Sequence, residues 1–210
     1  MPPELQTHTL LRVTGPEALQ EVGPPWIVGS LCKAPWVVVR RASRSDNGLI
    51  PVGIRGDSRE QRFGSWISTE AVLESVTPQM LVSRRAWDEA PRCGVIPALA
   101  ALDAVAKIMS EHDLDARWGP GGSVGFELAS GTATATTNSD LDLIIRTDAA
   151  LLSEQARSLS AALSSLAVRA DVLLEMPRGA IALAEYARKD GRTGTFILRT
   201  TRGPQLIRDL

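Results

Sequence analysis

A chain of 210 residues has length for one large domain or two small ones, and for a real hydrophobic core. With 44% apolar residues, 22% charged residues and a net charge of −1, it reads as an ordinary globular protein. That balance excludes a general electrostatic grip on nucleic acid or on a membrane surface. Cys32 and Cys93 form neither a disulfide framework nor metal-ligand spacing, so reduced thiols are expected. The opening MPPELQTHTLLRV lacks the basic and apolar regions of a signal peptide, and no window approaches about 20 uninterrupted apolar residues. The expected setting is the cytoplasm.

Residues 1–77 are punctuated by Pro and Gly and predict a small β-rich domain. Trp26-Ile27-Val28, Trp36–Arg40 and Leu49–Ile54 read as strands, with Ser45-Asp46-Asn47-Gly48 as a hairpin turn between the last two. Thr69–Val76 reads as a short helix ending before Thr77-Pro78. Charge is unevenly placed here. Between Leu31 and Ser65 lie Lys33, Arg40, Arg41, Arg44, Arg55, Arg59 and Arg62 against Asp46, Asp57 and Glu60, a local charge of +4.

Residues 78–210 change to alternating helix and strand. Leu99, Leu102, Val105 or Ala106 and Met109 follow a 3.6-residue period, with Asp103 and Lys107 spaced as an i,i+4 pair on the outer face. Gly119–Ser123 is a turn whose backbone N–H groups can approach an anion. The segment from Leu128 to Asn138 is a Gly, Ser and Thr-rich loop, and Asp140-Leu141-Asp142-Leu143-Ile144-Ile145 is a strand. Leu152, Ala156, Leu159, Leu163 and Leu166 stripe a helix, and Val168–Glu175 is a second strand. Ala180–Arg188 is expected as helix, Lys189–Gly194 as a turn and Thr195–Leu198 as a closing strand.

The acidic strand carries the chemistry. Alternation puts Asp140 and Asp142 on one face, roughly 6–7 Å apart, and Leu141, Leu143 and Ile145 on the other. Two carboxylates so placed repel unless a cation lies between them, and hard oxygen ligands suit Mg²⁺ that also takes phosphate oxygens. Asp171 and Glu175 are the acids on a neighbouring strand placed to complete such a site; the choice is close to even, with Asp171 favoured because it enters its strand at the end expected to adjoin the D-x-D. A glycine-serine turn followed by a D-x-D strand is a phosphate-and-metal arrangement. Isolated, each part has an ordinary reading: a solvated strand face or a tight turn.

A G-[GS] turn, a D-h-D strand and a third acid on a later strand resemble the nucleotidyltransferase superfamily. More closely, W-G-P-G-G-S-V-G-F-E-L-A-S-G (118–131), S-D-L-D-L-I-I-R (139–146) and the tract from Asp171 through Pro177-Arg178-Gly179-Ala180 to Ala184-Glu185-Tyr186-Ala187 are similar to one family. It is the phosphoribosyl-dephospho-CoA transferase of malonate decarboxylase, also called malonate decarboxylase holo-acyl-carrier-protein synthase. P-W-V-V-V-R-R-A (35–42) and P-V-G-I-R-G-x-x-R-x-Q-R-F (51–63) extend the resemblance over nearly the whole chain.

The resemblance implies an α/β (α+β) architecture. A nucleotidyltransferase-fold domain with a mixed sheet and flanking helices would follow the β-rich domain. It implies attachment of 2′-(5-triphosphoribosyl)-3′-dephospho-CoA to a serine of the decarboxylase's acyl carrier protein, with release of pyrophosphate. Asp140, Asp142 and a third acid, Asp171 or Glu175, would hold Mg²⁺, and Gly121, Gly122 and Ser123 would cradle phosphates. Arg40, Arg41, Arg55, Arg59 and Arg62 are candidates to grip the anionic donor, to dock an acidic carrier, or simply to form a solvated basic face. An adenylyltransferase acting from ATP and the equivalent citrate lyase reaction are the competing activities. His8 and His112 are given no role, and the five tryptophans read as core or interface anchors.

Overall fold

The computed structural model describes residues 5–42, 47–58, 60–148, 151–188 and 195–208. The chain divides into two compact units, Met1–Thr77 and Pro78–Leu210, each with its own sheet and apolar core. The architecture is α+β, with one antiparallel sheet and one mixed sheet.

In the first unit, β1 (Leu10–Val13), β2 (Trp36–Val39), β3 (Ile50–Arg55), β4 (Arg62–Ile67) and β5 (Val72–Val76) form an antiparallel sheet in the order β4-β3-β2-β1-β5. One face carries Leu11, Val13, Val37, Val39, Ile50, Val52, Ile54 and Ile67 into the core, against Ile27 and Leu31 of α1 (Trp26–Lys33). Two expectations are corrected here. Trp26-Ile27-Val28 opens a helix rather than forming a strand, because Pro24 and Pro25 set up a helical first turn and Ile27 and Leu31 bury at i,i+4 spacing. Thr69–Val76 is a 3₁₀ turn over Thr69–Ala71 followed by β5. Tertiary pairing overrides local propensity there: Arg12 of β1 faces Glu74, and their side chains form an ion pair at 3.0 Å.

In the second unit, α2 (Pro78–Ser83), α3 (Pro97–Ala100) and α4 (Leu102–Glu111) precede the sheet. The sheet is built from β6 (Trp118–Pro120), β7 (Leu141–Arg146), β8 (Ala170–Met176), β9 (Gly179–Ala182), β10 (Phe196–Thr200) and β11 (Gly203–Ile207). Their spatial order is β11-β10-β9-β8-β7-β6, with β7 and β8 parallel and every other neighbour antiparallel. Parallel pairing needs a crossover, which α6 (Ser153–Ser164) supplies. Leu141, Leu143, Ile145 and Leu174 join one core with Leu102, Val105 and Met109 of α4 and Ala156, Leu159 and Leu163 of α6. Asp142 and Asp171 therefore stand on the opposite face.

Three further differences from expectation have local causes. A helix, α5 (Gly122–Ser130), lies between the glycine turn and the loop, so the turn does not lead directly to the acidic strand. Residues 179–182 form β9, which pairs back on β8, and only Leu183–Ala187 is helical, as α7. Asp103 does not pair with Lys107; it accepts from Trp87 Nε1 at 2.9 Å and Arg85 Nη2 at 2.6 Å, while Lys107 approaches Glu111 at 4.0 Å. The expected turn Lys189–Gly194 lies outside the described residues. No described helix is long and apolar enough to cross a membrane.

Candidate active site on the mixed sheet

Strand β6 runs into Gly121, the residue that caps α5, and Gly122 follows with a φ of 55°, in the region that favours glycine. Gly121 N–H donates to the Asp142 carbonyl at 2.8 Å, which pins the turn to β7. A β carbon on Gly122 would collide with the Asp142 carboxylate, so the bare glycine backbone and the acid are in direct contact. The first N–H groups of α5 and its dipole thus open beside Asp142, a favourable place for phosphate oxygens.

Parallel register fixes the other acids. Asp142 is directly opposite Asp171, putting the two carboxylates on one face of strands about 4.8 Å apart. Asp171 also accepts from Arg169 at 3.0 and 3.2 Å, an exposed interaction that partly balances the repulsion. Glu175 is four residues further along, roughly 13 Å from the Asp142 level at the usual strand rise, and is registered against Arg146. It is 6% exposed. The structure thus brings Asp142 and Asp171 together and sets Glu175 apart from them. Asp140 is half-buried just before β7 begins.

Whether this corner suits Mg²⁺ follows from its donors. Among the described residues, no group of three or more His, Cys, Asp or Glu side chains is assembled as a metal cage. Asp142 and its in-register neighbour Asp171 are hard oxygen donors next to the N-terminus of α5. Mg²⁺ commonly takes one or two carboxylates and fills its other sites with water and substrate phosphate. The residues fit a metal bound in that way, and do not form a closed all-protein cage.

The basic residues belong to the first unit. Its sheet face opposite the core carries Arg40, Gly53, Arg55, Arg62, Gly64 and Trp66, with Gly53 paired to Gly64 and Arg55 to Arg62. Arg40 lies flat over both glycines, its guanidinium 5.9 Å from the Trp66 ring centre. Its Nε is buried with no hydrogen-bond partner among the described residues. Arg55 and Arg62 are exposed and directly opposed, a like-charge pairing that a sheet otherwise disfavours. Arg41 is half-buried just past β2, and Arg59 lies outside the described residues.

Several participants were not evident from sequence. Glu127 of α5 is 7% exposed and accepts from Arg92, Thr134 N–H and Ala135 N–H. Ser123 Oγ donates to Ser139 Oγ at 3.4 Å, beside Asp140. The available signal was a lone acid in the otherwise small and apolar helix V-G-F-E-L-A-S. Arg92 and Ser139 had no spacing that marked them.

Comparison with known proteins agrees with the motifs. Residues 6–78 match the MdcG phosphoribosyl-dephospho-CoA transferase N-terminal domain, and residues 85–210 match its C-terminal domain. A phosphoribosyl-dephospho-CoA transferase from Pseudomonas syringae pv. tomato is 40% identical over 96% of this chain and 91% of its own. Proteins of the same name from Klebsiella pneumoniae strain 342 and Pseudomonas putida strain GB-1 are each 37% identical. The first spans 95% of this chain and 92% of its own, the second 96% and 93%. No solved structure matches. With both units matched and relatives aligned from end to end, the chain belongs to the phosphoribosyl-dephospho-CoA transferases, a family of transferase enzymes.

Proposed function

We propose that this protein transfers the 2′-(5-triphosphoribosyl)-3′-dephospho-CoA group to a serine of the malonate decarboxylase acyl carrier protein. The observation that carries the site is the contact between Gly122 and Asp142, with Asp171 in register beside them. In this reading the unit over 78–210 works as a nucleotidyltransferase. The N–H groups at the start of α5 and Ser123 receive the triphosphate. Asp142 and Asp171, with Asp140 at the strand entrance, hold Mg²⁺. The ion, when bound, neutralises charge on the phosphates as the leaving group departs. The carrier serine loses its proton, its oxygen bonds to the phosphorus next to the ribose, and the bond to pyrophosphate breaks in line.

Arg55 and Arg62 support recognition of an anion, because two exposed arginines opposite each other in the strand register add positive charge to this face. The test is the mass of the purified carrier subunit after incubation with donor, Mg²⁺ and enzyme. The expected result is an increase equal to the donor less pyrophosphate, on serine. AMP addition from ATP without reaction of the dephospho-CoA donor would replace this assignment with an adenylyltransferase. Preferential loading of a citrate lyase carrier would move the acceptor.

A further inference from the structure

The loop following α5 is tied down by an acid that no motif marks. Glu127 is almost fully buried, and its carboxylate accepts four hydrogen bonds from three donors. Arg92 Nη1 reaches both oxygens at 3.2 and 3.0 Å, and the N–H groups of Thr134 and Ala135 reach Oε2 at 2.9 Å each. Arg92 Nη2 then donates to the Ala135 carbonyl at 2.9 Å, so the same arginine grips the acid and the loop. Ala135 itself is buried.

From that anchor the loop returns to the glycine turn. Thr134 Oγ1 donates to the Ser123 carbonyl at 2.8 Å. Thr136 N–H donates to Ser139 Oγ at 2.9 Å, and that oxygen also accepts from Ser123 Oγ. Ser139 is the residue before Asp140. A single helix therefore presents Ser123 at its first turn and, through Glu127 one turn later, sets where the chain re-enters at Asp140. A loop of small polar residues costs entropy to order, and without such ties it would wander.

We infer that Arg92 and Glu127 are positioning residues for the transfer reaction. They lock residues 131–139 onto α5 and so fix Ser139 and Asp140 against the Gly121–Ser123 turn. This rests on the reading of that turn and Asp142 as the reacting corner. Glu127→Gln leaves one acceptor oxygen for several converging donors and turns an NH₂ group toward them.

The test uses the full chain with the carrier subunit and the dephospho-CoA donor. For Glu127→Gln, kcat is expected to fall about 10- to 100-fold, the scale of roughly 1 Å misplacement. KM for donor and carrier should stay within about twofold of the starting protein. Amide hydrogen exchange at Thr134 and Ala135 should accelerate. Thr134→Val removes the tie to Ser123 and is expected to lower kcat several-fold, while Thr134→Ser restores it. A folded Glu127→Gln protein with loosened amides and unchanged kcat would overturn the inference. If that variant does not fold, equal kcat for Thr134→Val and Thr134→Ser overturns it instead. Full activity of Asp142→Asn is a separate outcome, which removes the reacting corner itself.

Discussion

Gly122 and Asp142 touch so closely that a β carbon on the glycine would overlap the Asp142 Oδ2 atom. Gly122 also has a φ of 55°, so a side chain there is strained by the backbone as well as by the acid. Gly122→Ala is therefore expected to push the carboxylate off its position or to unwind the first turn of α5. Transfer should fall by about 100-fold or more, in line with the effect of a displacement of roughly 1 Å. Steady-state kinetics on a protein with a wild-type circular dichroism spectrum checks this. Near-normal turnover would place the reaction away from this turn.

The three acids of β7 and β8 should separate by role. Asp142→Asn is expected to abolish transfer, since it removes the carboxylate that stands against Gly122 and in register with Asp171. Asp171→Asn should lower transfer as well, and frees Arg169 of its partner at little energetic cost because that pair is exposed. Glu175→Gln should behave differently, because Glu175 is buried opposite Arg146 and roughly 13 Å up the strand. A loss of about 1–3 kcal/mol in urea unfolding with turnover retained is the expected pattern. Loss of turnover in Glu175→Gln at unchanged stability contradicts it.

What the sequence disclosed depended on the range of each interaction. Asp142 and the strand around it were legible because period-2 alternation is local, and β7 buries Leu141, Leu143 and Ile145 as the pattern predicts. Whether Asp171 or Glu175 neighbours Asp142 was legible only as a close choice, since a strand's own alternation places both acids on one face. Only the register with β7 separates them. Thr69–Val76 misled for a similar reason: its pairing with β1 is about 60 residues away in sequence, and the bulge at Val13 has no local mark. From sequence, Arg40 is one of several arginines that could grip a donor, dock a carrier or form a solvated basic face. Nothing in its neighbours along the chain reveals that Gly53 and Gly64 form the floor beneath it.

That floor gives a paired stability test within the first unit. Gly64→Ala would drive a methyl group into the Arg40 guanidinium, and is expected to lower stability by less than a core overpacking does, because the guanidinium ends a flexible side chain. Gly29 is exposed in α1 with no atom near its vacant side-chain position, so Gly29→Ala should instead stabilise by about 0.5–1 kcal/mol. Urea midpoints for the two variants should move in opposite directions. A Gly64→Ala midpoint that stays put or rises would mean that Arg40 does not depend on the glycine pair.

Asp103 should impose a small acid sensitivity on the second unit. Hydrogen bonds from Trp87 and then Arg85 hold its carboxyl below its ordinary value of 3.8. A depressed carboxyl contributes stability above its unfolded value and loses it as pH falls through the lower folded one. The contribution is therefore complete at neutral pH and disappears in strong acid. Asp103→Asn keeps an oxygen for Trp87 Nε1 but removes the charge facing Arg85, whose guanidinium is held more firmly protonated by Asp88 and Asp103. Because Asp103 is largely exposed, the expected fall in Tm at pH 7 is only about 2–4 °C, the scale of roughly 1 kcal/mol in a chain this long. Melting curves for both proteins from pH 7 to pH 3 should keep their gap until pH falls below 3.8 and then start to draw together. A gap that stays constant across that range would mean the charge on Asp103 contributes nothing, and that its bond to buried Trp87 acts alone.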